Sequence, residues 1–402
     1  MRQPMQPHDL YRAPNALASN YGAFRVHERL LLTGHSHQAW PDCALEGHTQ
    51  AWHDAALLVD EKWERAFAMA DRVRQGFAEL LDDPDGEYAL GPGTHDLLIR
   101  FLSALPLRTR PRLVTTDGEF HTIRRQLDRL TEEGIEVVKL AADPAGTVAE
   151  RLAHRVNDRT AAVLVSNVFF HNAHIVTGLD RLWEACARHG AELLVDTYHA
   201  LDVVPFSLRA AGLGGAFATG GGYKYCQLGE GNCFLRVPPG REFRPVVTGW
   251  FSEFSALEER TRSSVAYGKG GDRFAGATYD PTSHYRAASV FDFFGREGLT
   301  PEFLRTVSQH QVGRLAARFD ALDLDPAVIT RDHATPLTGL AGFLALHAPH
   351  AGTLCRALRE RGVLTDFRGD ALRLGPAPYL SDAQLDEAIG MLGEIVHEQK
   401  AE

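Results

Sequence analysis

Short apolar runs alternate with amphipathic stretches between residues 85 and 240. Each run is apolar at consecutive positions, which predicts a strand covered on both faces, and the amphipathic stretches have the period of helices. The alternation predicts an α/β domain built around a parallel or mostly parallel sheet. The predicted strands are Glu87–Leu90, Arg112–Thr116, Ile135–Leu140, Ala161–Ser166, Glu192–Asp196, Ala216–Thr219 and Cys233–Val237. The predicted helices between them are His95–Ala104, Thr122–Glu133, Val148–Val156 and Leu179–His189.

The pattern changes after Pro245. Residues 245–280 are rich in Gly, Ser and aromatic side chains without a clear period, which predicts a long functional loop. We predict an N-terminal segment at 1–30, a large domain at 31–285 and a small α+β C-terminal domain at 286–402. The first thirty residues and the helical stretch Cys43–Val59 fit against either domain. The later predicted elements are Ser283–Gly295, Glu302–Leu322, Leu340–Leu346, His350–Glu360, Gly362–Thr365, Ala371–Leu374 and Asp382–Glu398.

Composition narrows the class of protein. The chain has 402 residues, and its formal net charge of −10 argues against binding to nucleic acid or to an anionic membrane. The five cysteines are scattered and never form a C-x-x-C pair, which indicates a reduced chain. The first residues contain no apolar signal-peptide core, and no window resembles a membrane span. We therefore expect a cytoplasmic protein.

The candidate catalytic residues lie in the segment LLVDTYHALDVVPFSL and in the following segment AFATGGGYKYCQLGEGNCFLRV. An apolar strand delivers Asp196 at its carboxyl end, where open α/β sheets place their ligands, and His199 follows in the loop. The next short run leads through glycines to Tyr223 and Lys224. Taken singly, Asp196 fits a loop cap and Lys224 fits a solvated surface lysine.

Together these residues suit pyridoxal phosphate. A carboxylate beside the pyridine nitrogen keeps that nitrogen protonated, which makes the ring an electron sink. A lysine forms a Schiff base with the cofactor and then moves the proton of the substrate Cα. Arginine does neither job, because it does not deprotonate under these conditions. We predict Lys224, Asp196 and Tyr223 as catalytic residues, with His199 beside the cofactor.

The same block resembles the fold-type I pyridoxal-phosphate enzymes of the class V aminotransferase group, and within them kynureninase. That family has Asp-x-x-His at a strand end and Ser-Tyr-Lys before a Gly-rich turn. TGWF at 248–251 and ALRLGPAPYL at 371–380 are similar to further family segments. The resemblance implies a mostly parallel central sheet with a smaller α+β C-terminal domain, and a homodimer with a shared active site.

The resemblance also implies residues that bind the cofactor. Gly93 and Thr94 stand at a predicted helix start, where free backbone N–H groups favour a phosphate, although an ordinary Thr cap fits as well. Phe120 corresponds to the aromatic that stacks on the pyridine ring, with a plain core position as the alternative. Trp250 corresponds to a tryptophan that donates its indole N–H to the phosphate; burial for its area alone is the alternative.

Three further positions complete this set. Asn172 corresponds to an Asn that touches the phenolic oxygen of the cofactor in related desulfurases. Thr278 matches a residue that reaches the phosphate of the other subunit's site. Arg373 matches the clamp for the substrate α-carboxylate, since a planar guanidinium binds a carboxylate bidentately.

The substrate side departs from the family. Kynureninase has an Asp three positions after its stacking Phe, where this chain has Ile123, which we expect to add apolar surface to the pocket. The family Asn of a Ser-Asn-Pro-Pro segment is replaced here by Tyr279 or Asp280. The pairs His35/His37 and His171/His174 lack acidic or cysteine partners at ligand spacing, so no metal is expected.

These patterns predict a pyridoxal-phosphate enzyme acting on an amino acid, first by hydrolytic cleavage of the Cβ–Cγ bond of a γ-oxo amino acid. Transamination, β-elimination and epimerisation are the alternative reactions of the group. Desulfuration is disfavoured because Cys355 falls in a helical stretch rather than a flexible loop. A pyridoxal-phosphate-binding protein without activity is the non-enzymatic alternative.

Overall fold

A computed structural model describes residues 5–256 and 264–401. Residues 1–4, 257–263 and 402, which belong to the predicted N-terminal segment, long loop and small domain, lie outside the described residues. Strands are numbered in chain order: β1 (Leu30–Leu31), β2 (Glu87–Gly91), β3 (Arg112–Thr116), β4 (Glu136–Leu140), β5 (Thr160–Ser166), β6 (Glu192–Asp196), β7 (Phe217–Gly221), β8 (Cys233–Val237), β9 (Thr330–Arg331), β10 (Leu344–His347), β11 (Val363–Leu364), β12 (Asp366–Arg368) and β13 (Ala371–Leu374).

The α-helices surround these strands. They are α1 (Cys43–Leu58), α2 (Lys62–Leu80), α3 (Thr94–Ala104), α4 (His121–Glu132), α5 (Val148–Ala153), α6 (Leu179–Arg188), α7 (Thr282–Glu297), α8 (Pro301–Asp320), α9 (Ala351–Glu360) and α10 (Asp382–Ala401). Helix α2 was not predicted from the sequence. Four of the six buried residues of this helix are Ala or Gly, so its apolar stripe contrasts weakly with the charged residues around it.

The large sheet has seven strands in the order β2-β8-β7-β6-β5-β3-β4. Strand β8 runs antiparallel to both of its neighbours, and the other described pairings are parallel. Every residue of β5 is buried, as expected for a strand covered by helices on both faces. The predicted α/β architecture with a mostly parallel sheet is confirmed.

A second sheet in the order β12-β13-β10-β9 forms the C-terminal part, where α9 packs on β12 and β13 and α10 packs on α8 and α9. Strand β1 pairs in parallel with β11, with Leu30 opposite Val363, so the N-terminal segment joins the C-terminal part. Helix α1 packs instead on α7. Among the described residues, no helix is both long and apolar enough to cross a bilayer.

Candidate active site

The register of β6 and β7 brings the predicted catalytic residues to one edge of the sheet. Asp196 ends β6 and stands opposite Thr219 of β7, so the loops that follow the two strands start side by side. The Asp196 carboxylate accepts a hydrogen bond from the Tyr198 backbone N–H at 2.9 Å. Burial raises the pKa of Asp196, while that hydrogen bond and the charge of Lys224 act in the opposite direction.

Lys224 and His199 form the centre of the site. The Lys224 Nζ lies 2.9 Å from the His199 Nε2, and both side chains are buried. Burial lowers the pKa of Lys224 to about 7, although the charge of Asp196 acts against this shift. Burial also places the pKa of His199 well below its usual value, and the nearby Lys224 charge adds to the effect. The site therefore holds an amine that readily loses its proton.

Aromatic rings surround the lysine. The Nζ atom of Lys224 lies 4.3 Å from the ring centroid of Tyr198, 5.2 Å from that of Phe120 and 5.6 Å from that of Tyr223. Phe120 reaches this position because it is the residue that precedes α4. Tyr223 stacks on His37 with ring centroids 4.8 Å apart, and burial raises the pKa of Tyr223 to about 12. Tyr223 is therefore a proton donor at neutral pH rather than a base.

Helix α3 starts at the same edge of the sheet. Gly93 precedes the helix in an extended conformation, and no side chain caps its first turn. The backbone N–H of Thr94 faces the Cys233 thiol, and the next N–H groups of the turn belong to His95 and Asp96. Free N–H groups and the helix dipole favour an anion here, whereas the Asp96 carboxylate in the same turn opposes one.

Arg373 lies in a buried ion-pair cluster beside the lysine. Its Nε donates to Asp366 Oδ1 at 2.8 Å, its Nη2 donates to the other carboxylate oxygen, and its Nη1 donates to the Phe170 carbonyl at 2.5 Å. The His35 Nε2 lies 2.7 Å from Asp366 Oδ1. Although burial opposes the shift, His35 and Arg373 hold the pKa of Asp366 below its usual range. The charge of Arg373 also lowers the pKa of Lys224, which places the two groups in one electrostatic environment.

Three predicted cofactor residues have other contacts. The Asn172 Nδ2 lies 3.1 Å from the His174 Nδ1, and its oxygen accepts the His174 backbone N–H. Trp250 is 45% exposed and packs on Phe251, with ring centroids 4.3 Å apart. Thr278 lines a cavity of about 630 Å³ that also includes Gly91 and Pro92. Their contacts with a cofactor stay predictions.

The apolar contribution of Ile123 to the pocket stays a prediction. Ile123 is 3% exposed and lies in α4, which begins directly after Phe120. It packs in the same core cluster as Leu127 and Tyr198, the second of which borders Lys224.

A buried acid next to Phe120 was not predicted from the sequence. Glu119 is 2% exposed and accepts hydrogen bonds of 2.6 Å from the hydroxyls of Thr116 and Ser166. Burial raises the pKa of Glu119 to about 7, and the charge of Asp196 contributes to the shift. The signal was present in DGEFHT, where Glu119 directly precedes the aromatic residue.

The residues at this edge fit pyridoxal phosphate. The His199 Nδ1 is buried without a hydrogen-bond partner among the described residues, and Lys224 has no carboxylate within ion-pairing distance there. Asp196 provides a carboxylate for a ring nitrogen, Lys224 an amine for the aldehyde, and Phe120 an aromatic face. No three side chains of His, Cys, Asp or Glu come together as metal ligands within 5–256 and 264–401.

Comparison with known proteins agrees with this geometry. A family model described as the kynureninase C-terminal domain matches residues 329–392. Kynureninase from Deinococcus radiodurans is 27% identical over 359 residues, which cover 82% of this chain and 79% of that protein. The chain is kynureninase-like. Kynureninase from Bacillus cereus is 22% identical over 384 residues, which cover 90% of this chain and 83% of that protein.

Solved structures confirm the fold of this kynureninase-like chain. A mutant of C-DES with glycine covalently linked to the PLP cofactor has a TM-score of 0.79 at 16% identity, covering 94% of this chain and 98% of that one. The apo cysteine desulfurase of Thermococcus onnurineus has a TM-score of 0.78 at 17% identity, covering 99% and 100%. The predicted resemblance and the predicted fold-type I architecture are both confirmed. The predictions of an enzyme and of pyridoxal phosphate as its cofactor agree with these similarities.

Proposed function

We propose that this kynureninase-like chain is a pyridoxal-phosphate-dependent enzyme that hydrolyses the Cβ–Cγ bond of a γ-oxo amino acid. The observation that carries the proposal is the buried contact of 2.9 Å between Lys224 Nζ and His199 Nε2, beside the carboxyl end of the strand that bears Asp196. The similarity to kynureninases from two bacteria supports the choice of reaction.

The bound cofactor supplies an electron sink for negative charge at the substrate Cα. Asp196 holds the proton on the ring nitrogen of the cofactor, because a buried carboxylate is stabilised by a cation at that position. Lys224 would hold the cofactor through its Nζ and would move the proton at the substrate Cα, which its lowered pKa permits near neutrality. His199 stays neutral and orients the lysine amine.

Arg373 binds the substrate carboxylate through donors that the protein leaves free. A guanidinium has five N–H groups, and three of them bond to Asp366 and Phe170. Asp366 therefore orients the plane of the guanidinium and reduces its net charge without consuming every donor. Tyr223 delivers a proton to Cβ when the Cβ–Cγ bond breaks, since its raised pKa keeps the phenol protonated.

The proposed enzyme is a homodimer that shares its active site. Val246, Trp250 and Phe254 are 83%, 45% and 48% exposed within the loop region predicted at 245–280. Exposed apolar side chains in one segment favour a protein interface. In that arrangement Thr278 would approach the phosphate of the partner subunit's site. Equilibrium sedimentation tests the dimer, and a monomer of full activity would contradict it.

A screen of γ-oxo and other amino acids against the holoenzyme tests the reaction, with products read by mass spectrometry. Hydrolysis yields alanine and a carboxylic acid, transamination yields an oxo acid, and epimerisation leaves the mass unchanged but inverts Cα. The Lys224→Ala variant is the control for uncatalysed turnover. Turnover of a γ-oxo acid without alanine release would favour another reaction of the class V group. A static spectral shift without any product would favour a binding protein.

A further inference from the structure

A small cavity of about 20 Å³ lies where the large domain, helix α8 and the C-terminal segment meet. Its lining includes Asp202 from the loop after His199, Tyr225 next to Lys224, and Ser308 from α8. The volume suits one particle of the size of a water molecule.

The polar atoms around this cavity lack partners. Asp202, Tyr225 and Ser308 are 3%, 5% and 8% exposed. Both carboxylate oxygens of Asp202, the phenol oxygen of Tyr225 and the hydroxyl of Ser308 have no hydrogen-bond partner of normal geometry among the described residues. The Cys226 thiol, a weak donor, lies against the carboxylate. Buried polar groups are nearly always satisfied, so four such atoms around one cavity indicate a missing ligand.

The backbone at Asp202 is strained as well. Asp202 has a φ of 60°, in the left-handed region that glycine adopts without strain. The side chain at this position therefore adds backbone strain and a buried acid at once, and among the described residues only the weak Cys226 donor lies against the carboxylate.

We propose that Asp202, Tyr225 and Ser308 bind one monovalent alkali cation, Na⁺ or K⁺. The three groups present oxygen atoms, which are the ligands that hard cations prefer. One carboxylate balances one positive charge, and the cavity has no room for the water shell of a divalent ion. Gln311, also at the cavity, donates its Nε2 to the carbonyls of Ala377 and Leu380, which leaves its amide oxygen available as a further ligand.

The position of the cation gives it a structural role in the site. Tyr225 follows the lysine that carries the cofactor, and Asp202 belongs to the loop of His199, whereas Ser308 lies on α8. The cation therefore joins the two loops of the active site to a helix outside the large sheet. This inference does not depend on which reaction the enzyme catalyses.

The competing occupant is one water molecule on a protonated Asp202, whose pKa burial raises to about 7. Thermal unfolding of the holoenzyme separates the two. Midpoints are measured at fixed ionic strength in NaCl, KCl and tetramethylammonium chloride, whose cation is too large for the cavity. A site ligand stabilises by mass action, so we expect the midpoint in NaCl or KCl to rise by about 2 °C or more and to saturate.

Asp202→Asn keeps the size of the side chain and tolerates the left-handed backbone, so it removes only the charge. We expect this variant to lose the difference between the salts. Asp323→Asn is the matched control, because Asp323 also has a positive φ, of 48°, but is exposed. If Asp202→Asn does not fold, Ser308→Ala provides the test through a weaker response to the cation. Equal midpoints of the wild type in all three salts, or a response that survives in Asp202→Asn, would overturn the cation site.

Discussion

The Lys224 Nζ lies 2.9 Å from the His199 Nε2, and both groups are almost completely buried. Burial lowers the pKa of each, to about 7 for Lys224 and well below its usual value for His199. At neutral pH the pair therefore carries at most one positive charge. The histidine is a neutral acceptor, and the lysine is an amine poised to react.

The lowered pKa predicts how the apoenzyme takes up its cofactor. Only the neutral amine attacks an aldehyde, and Lys224 is protonated below its pKa and neutral above it. Uptake of pyridoxal phosphate should therefore become faster from pH 6 to pH 8, with a midpoint near 7. Stopped-flow absorbance of the apoenzyme measures the rate. A midpoint near 10, the value of an ordinary lysine, would show that the amine is not desolvated.

Lys224→Ala should bind pyridoxal phosphate weakly and lose all chemistry at the substrate Cα, because among the described residues Lys224 is the lysine placed against the aromatic rings of the site. Borohydride reduction of the wild type followed by peptide mapping should label Lys224. Lys269→Ala is the control. Because Lys269 is exposed, its replacement should leave both labelling and activity unchanged. A label on another lysine would end the assignment.

Asp196→Asn should reduce kcat by about 100-fold or more, because an amide does not hold a proton on the ring nitrogen. The same variant should unfold at or above the wild-type midpoint. The amide still accepts the Tyr198 N–H, and it removes a charge whose pKa burial raises. Steady-state kinetics and thermal unfolding together test the prediction. Near wild-type turnover would show that Asp196 is only a loop cap.

Arg373→Lys should raise KM for an amino-acid substrate by about 10- to 100-fold, since a lysine does not present a planar fork to a carboxylate. The effect on kcat should be smaller. Arg368→Lys, on the adjacent strand β12 with an exposed side chain, is the matched control and should leave KM unchanged. If both variants behave alike, the carboxylate binds elsewhere.

L-kynurenine should be a poor substrate or none. The family groups expected around an aryl ketone are replaced at Ile123, which is buried in the core, and at Tyr279 and Asp280. A substrate whose polar atoms find no partners loses affinity by large factors. An anthranilate-release assay measures this. A kcat/KM of about 10⁴ M⁻¹s⁻¹ or more would show that the substrate side of the site has been misassigned.

The sequence by itself determined the large sheet and the position of its chemistry. Strands apolar on both faces and helices with a clear apolar stripe are local patterns that can be recognised in the sequence. Because Asp196 follows the apolar run of β6 directly, its position at the carboxyl end of that strand could be predicted without tertiary information. Helix α2 was not predicted, because most of its buried residues are Ala or Gly and differ little in hydrophobicity from its polar face. The boundary between the domains at residue 285 stays a prediction.

Only the tertiary structure decided which side chains meet. The fork of Arg373 holds Asp366 through the antiparallel pairing of β12 and β13, and no spacing rule shows that His35 reaches the same carboxylate from a distant loop. Burial, likewise, depends on every neighbour at once. It lowers the pKa of Lys224 to about 7 and leaves the Asp202 carboxylate facing a cavity with only the weak Cys226 donor against it among the described residues, because desolvation follows from packing across the whole chain and not from local sequence.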